Sequence, residues 1–499
     1  MKVLLVYPEF PETYWSFRHA LQFYGKRSAF PPLGLLTVSA LLPRTWERRL
    51  ADLNVQSLSD AEIAWADMVF VSAMLVQKEA LRRVVARSKA LGKRVVVGGP
   101  YVTTLAEPIT GVDHLFIGEA ETTLPEFVRD VERGAAQRVY EAVERPPLSL
   151  TPPPDFHLVD LSHYFEMPVQ YSRGCPFQCE FCDIIEIYGR VPRTKSNEQM
   201  LAELDELRRL GWRGLVFIVD DNFIGNKRHV KQLLPALAAW SERHHYPFTF
   251  LTEASVNLAD DTALLDGMQR AGFRSVFLGI ETPVAESLQE TRKYQNTRSN
   301  LLDAVHTIHS YGLEVMAGFI VGFDHDPEDV FERQIAFIRD SAIPLAMVGI
   351  LEALPGTQLW RRLEREGRLL AEGTGNITEC ALTFLPKMDS ARLIAGYQSI
   401  IRTIYAPRAY YRRTLDCLAR VVQRQPEPRR ASLFDDLVAL GRIVWTLGVR
   451  DHARREFWKF FCAVLTEHHK KFAPAMRLAA IGYHLRKLAE SNGCCDMEQ

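Results

Sequence analysis

Long apolar runs are missing. No stretch of the 499 residues reaches 18 uncharged apolar positions, and even LAMVGILEALPG (345–356) is broken by Glu352 and Pro355, so no membrane-crossing helix is expected. The opening MKVLLVYPEF has a single Lys and an apolar run that stops at Pro8. That is too short for a secretory leader and lacks a small-residue cleavage site; it reads as the first buried strand of a domain, in a cytoplasmic protein. An excess of one charge is also missing, with 60 Lys and Arg against 61 Asp and Glu. There is no fixed-period repeat, no low-complexity tract and no recognisable nucleic-acid-binding module, so nucleic acid is not an expected partner. Cysteine is sparse, 8 in all. In a cytosolic chain these are thiols or metal ligands before they are disulfides.

What is present is an ordinary globular composition, 47% apolar and 10% aromatic, long enough for about three domains. The neutral total hides an asymmetry. Residues 401–499 carry 18 Lys and Arg against 10 Asp and Glu, a local +8 that leaves −9 for residues 1–400. The body is acidic and the tail basic.

Apolar runs at 3–7, 67–73, 94–99 and 114–118 alternate with the helical patterns PPLGLLTVSALLP and QKEALRRVVARSKALG, the second capped by Gly92. This alternation predicts an N-terminal doubly wound, Rossmann-like parallel sheet over residues 1–140. Ligands of such sheets sit beyond the carboxyl ends of the strands, where Gly98, Gly99 and Pro100 and then Gly118 and Glu119 fall. Residues 141–165, with five Pro in RPPLSLTPPPDF, read as an extended linker. Six further strand–helix units, with strands near 168–173, 214–221, 248–255, 275–282, 314–323 and 346–353, predict a central partial (β/α)6 barrel over 166–360. The remainder, 361–499, reads as a basic α-helical region. The overall class is α/β.

Gln170–Asp183 reads QYSRGCPFQCEFCD, that is Cys175-x3-Cys179-x2-Cys182. Three thiolates on one loop select zinc or an iron–sulfur cluster. Zinc sites are usually completed by a second Cys pair or by His, and neither lies nearby. Three ligands on a four-iron cluster leave one iron open to a cofactor or substrate.

This spacing, with Phe181 before the last Cys and six βα units behind it, resembles the signature of radical S-adenosylmethionine enzymes. The resemblance implies a 4Fe–4S cluster on Cys175, Cys179 and Cys182 and S-adenosylmethionine on the open iron. It also implies a 5′-deoxyadenosyl radical that abstracts hydrogen, and a low-potential electron donor such as flavodoxin or ferredoxin. It makes Glu253 and Glu281 candidates for contacts to the amino or ribose groups of the cofactor, and Gly318 and Gly322 of GFIVG for close approach to adenine. A salt bridge for either Glu, or packing for the Gly residues, stays open. Asp220, Asp221 and Asn222 end the second barrel strand, where they either face substrate or make a turn.

PPLGLLTVSALLP, RVVVGGPYVTT and HLFIGEAETTLPEF, ahead of the cluster motif, resemble the subset of these enzymes with an N-terminal cobalamin-binding domain. YPEFPETYWSF and LEALPGTQLWRRLEREGRL resemble the branch of hopanoid C-2 methylases and bacteriochlorophyll side-chain methylases. The resemblance implies cobalamin between the first sheet and the barrel, near Gly98, Gly99, Tyr101, Gly118 and Glu119. The sequence departs in two ways: it has no Asp-x-His-x-x-Gly, and Tyr101 stands where the family commonly has His. A domain that has kept the fold and lost the cofactor is therefore an alternative.

The implied function is C-methylation of an unactivated carbon on a small apolar, lipid-like substrate of isoprenoid, hopanoid or tetrapyrrole type. The alternatives are a cobalamin-free radical enzyme and a non-catalytic iron–sulfur or zinc module. Phe10, Tyr14, Trp15 and Phe17 read as core before they read as cavity wall. Cys380, Cys417 and Cys462 also read as core, and Cys494–Cys495 as an exposed pair. The basic tail offers a helical cap, a peripheral membrane contact or a donor-docking face.

Overall fold

The computed structural model describes residues 1–104, 109–422 and 433–491; Cys494 and Cys495 lie outside these. The first sheet has six parallel strands: β1 (Lys2–Tyr7), β2 (Glu47–Asp52), β3 (Met68–Ser72), β4 (Arg94–Gly98), β5 (His114–Ile117) and β6 (Val139–Glu141). Their order is β2-β1-β3-β4-β5-β6. Val3, Leu4, Leu5 and Val6 are all fully buried, because helices cover both faces of a parallel sheet. The helix Lys78–Ala90 covers one face through Leu81, Val84, Val85 and Ser88. Gly92 follows it at φ +69, as the helix stop requires. The strand order reverses between β1 and β3, which makes the crevice where such folds bind ligands.

Two strands, β2 and β6, were not expected. Both are sheet edges, and β2 (ERRLAD) carries Glu47, Arg48 and Arg49 on a half-exposed strand that has no continuous apolar run to betray it.

The second sheet begins with β7 (Glu166–Val169). A short hairpin of β8 (Ser172–Arg173) and β9 (Arg193–Thr194) brackets the cysteine loop. Then come β10 (Gly214–Ile218), β11 (Phe248–Ala254), β12 (Phe273–Glu281), β13 (Glu314–Val321) and β14 (Leu345–Ile350). The order β14-β13-β12-β11-β10-β7 is sequential and parallel, as a partial (β/α)6 barrel requires. The helix Asn197–Arg209 opens on a capping box of Ser196 and Gln199, and Thr262–Ala271 closes on Gly272 at φ +105.

The Pro-rich stretch between the sheets is a packed strap. Leu148, Phe156 and Tyr164 are each 1% exposed, and the Tyr164 hydroxyl donates to Asp52 Oδ2 at 2.9 Å. Past the barrel, the helices Ser390–Tyr405, Pro407–Arg420, Leu433–Ile443, Arg454–Glu467 and Phe472–Ser491 close back on the N-terminal helix Arg18–Tyr24. There Phe23, Phe457, Phe460 and Met476 share a core. Cys417 is buried as expected and Cys380 partly so, but Cys462 is exposed, on the solvent side of its helix. No helix among the described residues is long and apolar enough to cross a membrane.

Candidate active site between the two sheets

The loop from Gly174 to Cys182 is fixed at both ends. Asp220, fully buried just beyond β10, accepts from Tyr171 N (2.7 Å), Ser172 N (2.9 Å) and Ser172 Oγ (2.7 Å). Gly174 sits at φ +96, and a Cβ there would stand 2.9 Å from the Gly189 carbonyl oxygen. At the far end, Glu180 N donates to Thr291 O, Leu359 N donates to Glu180 O, and Arg362 Nε binds Glu180 Oε1 at 2.5 Å. These contacts build the loop into the barrel.

Two amides point at its sulfurs: Asn222 Nδ2 lies 3.7 Å from Cys175 Sγ, and Gln295 Nε2 lies 3.6 Å from Cys179 Sγ. Burial pushes the Cys175 and Cys182 thiols up. Three thiols with two amide donors and no imidazole among them suit an iron–sulfur cluster better than a single zinc. Phe181 packs beside the loop, its ring 6.2 Å from that of Phe323 and 5.8 Å from Lys293 Nζ.

A cavity of about 1030 Å³ lies between the carboxyl ends of both sheets. The first sheet contributes Tyr7, Ser72, Gly99 and Gly118, and the barrel contributes Phe217, Asp221 and Glu253. At Gly34, on the helix Leu33–Leu41 that walls the cavity, nothing stands within 4 Å of where a Cβ would be. Among the described residues, no His lines the cavity.

Of the residues expected here, Gly99, Gly118, Glu119 and Glu253 line the cavity, whereas Gly98 and Tyr101 do not. Gly99 has its own packing reason, since a Cβ at its φ of +99 would lie 2.5 Å from Ser72 Oγ. Glu119 is held by ions rather than free: Arg193 Nη2 lies 2.6 Å from Oε1, and Arg173 Nη1 lies 2.5 Å from Oε2. Of the aromatic segment read as core first and cavity wall second, Phe10, Tyr14 and Trp15 line the cavity and Phe17 does not; an aromatic-rich segment carries no signal separating wall from core. The Trp15 indole lies against Phe217 and Phe277 at the barrel mouth.

The two expected acids part company. Glu253 faces the cavity, where burial and then the carboxylates of Asp221 and Asp220 push it up to about 8. Burial raises Asp221 to about 7, with Asp220 and Asp183 adding to it. Glu281, at φ +64, is instead ion-paired with Lys293. A Cβ at Gly318 would meet the Phe277 ring at 3.2 Å, and one at Gly322 would meet Leu393 at 3.1 Å, so both have packing roles. Asn222 and Gln295 as sulfur-facing amides were not foreseen; Asn222 looks like any other polar residue after a strand, and Gln295 sits in the short turn Tyr294–Asn296, 116 positions from the Cys it meets.

The description "Radical SAM superfamily" matches residues 169–338, "B12 binding domain" matches 27–128 and "Domain of unknown function (DUF4070)" matches 357–493. The chain is 44% identical over 496 residues to an uncharacterised methyltransferase of Synechocystis, covering 98% of this chain and 92% of that one. It is 35% identical to the hopanoid C-2 methylase of Rhodopseudomonas palustris, covering 92% and 88%. Its fold matches that of the radical S-adenosylmethionine methyltransferase TsrM of Kitasatospora setae. The TM-score is 0.63 at 14% identity, over 83% of this chain and 95% of the other.

Proposed function

Because the chain belongs to the cobalamin-dependent radical S-adenosylmethionine methyltransferases, we propose that it methylates an unactivated carbon of an apolar polycyclic or isoprenoid-derived substrate in the cavity between its two sheets. The observation that carries this reading is the cavity itself. One space of about 1030 Å³ touches the carboxyl ends of the first sheet and of the barrel, and pairs an apolar wall (Phe10, Trp15, Phe30, Leu33) with an acidic barrel end.

When bound, the cluster with S-adenosylmethionine supplies the hydrogen-abstracting deoxyadenosyl radical, and cobalamin supplies the methyl group. The residues give these groups places. Cys175, Cys179 and Cys182 would hold the cluster, with Asn222 and Gln295 donating to two of the sulfurs. Asp221 and Glu253 are carboxyls raised by burial and by neighbouring carboxylates, Asp220 and Asp183 for Asp221 and Asp221 and Asp220 for Glu253. A cationic group such as the methionyl ammonium restores their charge, which makes them a recognition pair for it. The first-sheet strand ends at Gly99 and Gly118 and the open helix position at Gly34 would receive the corrin. The aromatic wall excludes water and orients the substrate.

Anaerobic reconstitution tests this reading. The wild type is expected to show iron–sulfur absorption, bind hydroxocobalamin with sharp corrin bands, and form deoxyadenosine together with a methylated pentacyclic triterpenoid. Cys179→Ala should form no deoxyadenosine. Deoxyadenosine formation without corrin binding would overturn the methyl transfer and leave the radical chemistry standing.

The substrate class favours membrane attachment through the C-terminal helices. Phe434, Leu437, Trp445 and Val449 are 74%, 66%, 59% and 46% exposed and recur at helical spacing, with Arg454 and Arg455 close behind in sequence. Sedimentation with anionic vesicles, lost in Phe434→Ser/Trp445→Ser, checks this. A low-potential flavodoxin or ferredoxin is the proposed electron source.

A further inference from the structure

One cluster of ligating side chains has no place in the chemistry above. Glu12 lies in the segment that walls the cavity, His19 on the helix Arg18–Tyr24 and His484 on the last helix, Phe472–Ser491. Each brings one nitrogen or oxygen atom within 4.8 Å of the other two. The two imidazole ring centres are 5.7 Å apart.

Two atoms in this cluster lack partners. His484 is fully buried, and its Nε2 faces the carbonyl oxygens of Thr13 and Tyr14 at 3.2 and 3.3 Å. Since carbonyls only accept, the ring carries its proton on Nε2, and the Nδ1 lone pair is left with no hydrogen-bond partner. Glu12 Oε1 approaches His19 Nε2 to 2.5 Å, yet it too makes no hydrogen bond of acceptable geometry. An unsatisfied buried acceptor costs about 1–3 kcal/mol. A protonated His19 would answer Glu12 but would leave His484 Nδ1 bare. A cation answers both.

We propose that Glu12, His19 and His484 form a site for a divalent transition-metal ion, Zn²⁺ by its donor set. Two imidazoles and a carboxylate are a zinc-type triad that leaves a fourth position for water. The His484 Nε2–H bonded to backbone carbonyls is the outer hydrogen bond that orients metal-ligating imidazoles. Glu12 and His19 keep 28% and 30% side-chain exposure, which gives the ion a way in. The ion ties the start of the cavity-walling segment to the last helix, joining chain positions 472 residues apart. The site rests on its own geometry and is independent of the methyl-transfer reading.

The test uses the full-length chain, anaerobically reconstituted with its cluster, stripped of loose metal, given one equivalent of ZnCl₂ and desalted. Wild type is expected to retain one zinc with its iron content unchanged. Its zinc-edge X-ray absorption should show only nitrogen and oxygen scatterers, at about 2.0–2.1 Å. His19→Ala, chosen because His19 is partly exposed and its loss leaves the core intact, should lose the zinc and keep the iron. Zinc should raise the unfolding temperature of the wild type and leave that of His19→Ala unmoved. Sulfur scattering, zinc retained by His19→Ala, or no zinc retained by the wild type would each overturn the proposal.

Discussion

The indole of Trp15 lies parallel to the ring of Phe217, with centroids 6.0 Å apart and planes at 9°. A residue from the N-terminal segment thus stacks on the second strand of the barrel and closes one side of the shared cavity. Aromatic contacts of this kind are worth about 0.5–1.5 kcal/mol beyond their buried area. Trp15→Ala is therefore expected to lower kcat/KM for methyl transfer about tenfold while deoxyadenosine formation continues, and Trp15→Phe should recover most of the loss. The ratio of methylated product to deoxyadenosine is the readout; an unchanged ratio would remove Trp15 from the site.

Glu119 predicts a structural effect first. Its carboxylate is 5% exposed between Arg173 and Arg193, so it links the end of β5 to the hairpin around the cysteine loop. Glu119→Ala leaves Arg193 without its buried partner, while Arg173 keeps Glu121 at 2.8 Å. Removing one member of a buried ion pair costs about 3–5 kcal/mol. The expected result is a markedly lower unfolding temperature and reduced iron content after reconstitution. Glu119→Ala with full stability and impaired corrin binding alone would return this residue to a cofactor role.

Much of this architecture was legible from the sequence, because parallel strands buried on both faces are written as continuous apolar runs. VLLV and VFIV each place a strand end within a residue or two. The three Cys stood out because spacing along one loop is a local pattern. What escaped was long-range. The amide of Gln295 reaches Cys179 across 116 positions of chain, and His484 meets Thr13 across 471. No local pattern encodes such meetings. The polar edge strand β2 and the packed strap at 148–164 escaped for a related reason: charge and proline there look like loop until their neighbours are known.

Gln295 predicts a redox effect. Hydrogen bonds to cluster sulfurs raise the reduction potential. Replacing the Nε2 donor that lies 3.6 Å from Cys179 Sγ, in Gln295→Leu, should make the potential more negative. Deoxyadenosine formation should then slow severalfold with a weak donor and recover with excess strong reductant. Electron paramagnetic resonance during a redox titration measures the shift. An unmoved potential with a slowed rate would mean that Gln295 acts on geometry instead.

Glu166 predicts a pH dependence of stability away from the cluster. It opens β7 at 5% exposure, and burial pushes its carboxyl from 4.5 up to about 8. Arg477 offsets this only in part, being itself bound to Glu314 Oε2 at 2.7 Å. The folded chain therefore holds a proton here that the unfolded chain releases. The stabilisation is complete below about pH 4.5 and is lost as the pH rises through about 8. Glu166→Gln keeps the shape and removes the titration. It should match the wild type near pH 5 and exceed it at pH 8 by on the order of 3 kcal/mol. Paired thermal unfolding of the two proteins at both pH values, with all other groups in common, isolates the effect. A difference that does not grow with pH would show that Glu166 is ionised in the fold across the whole range.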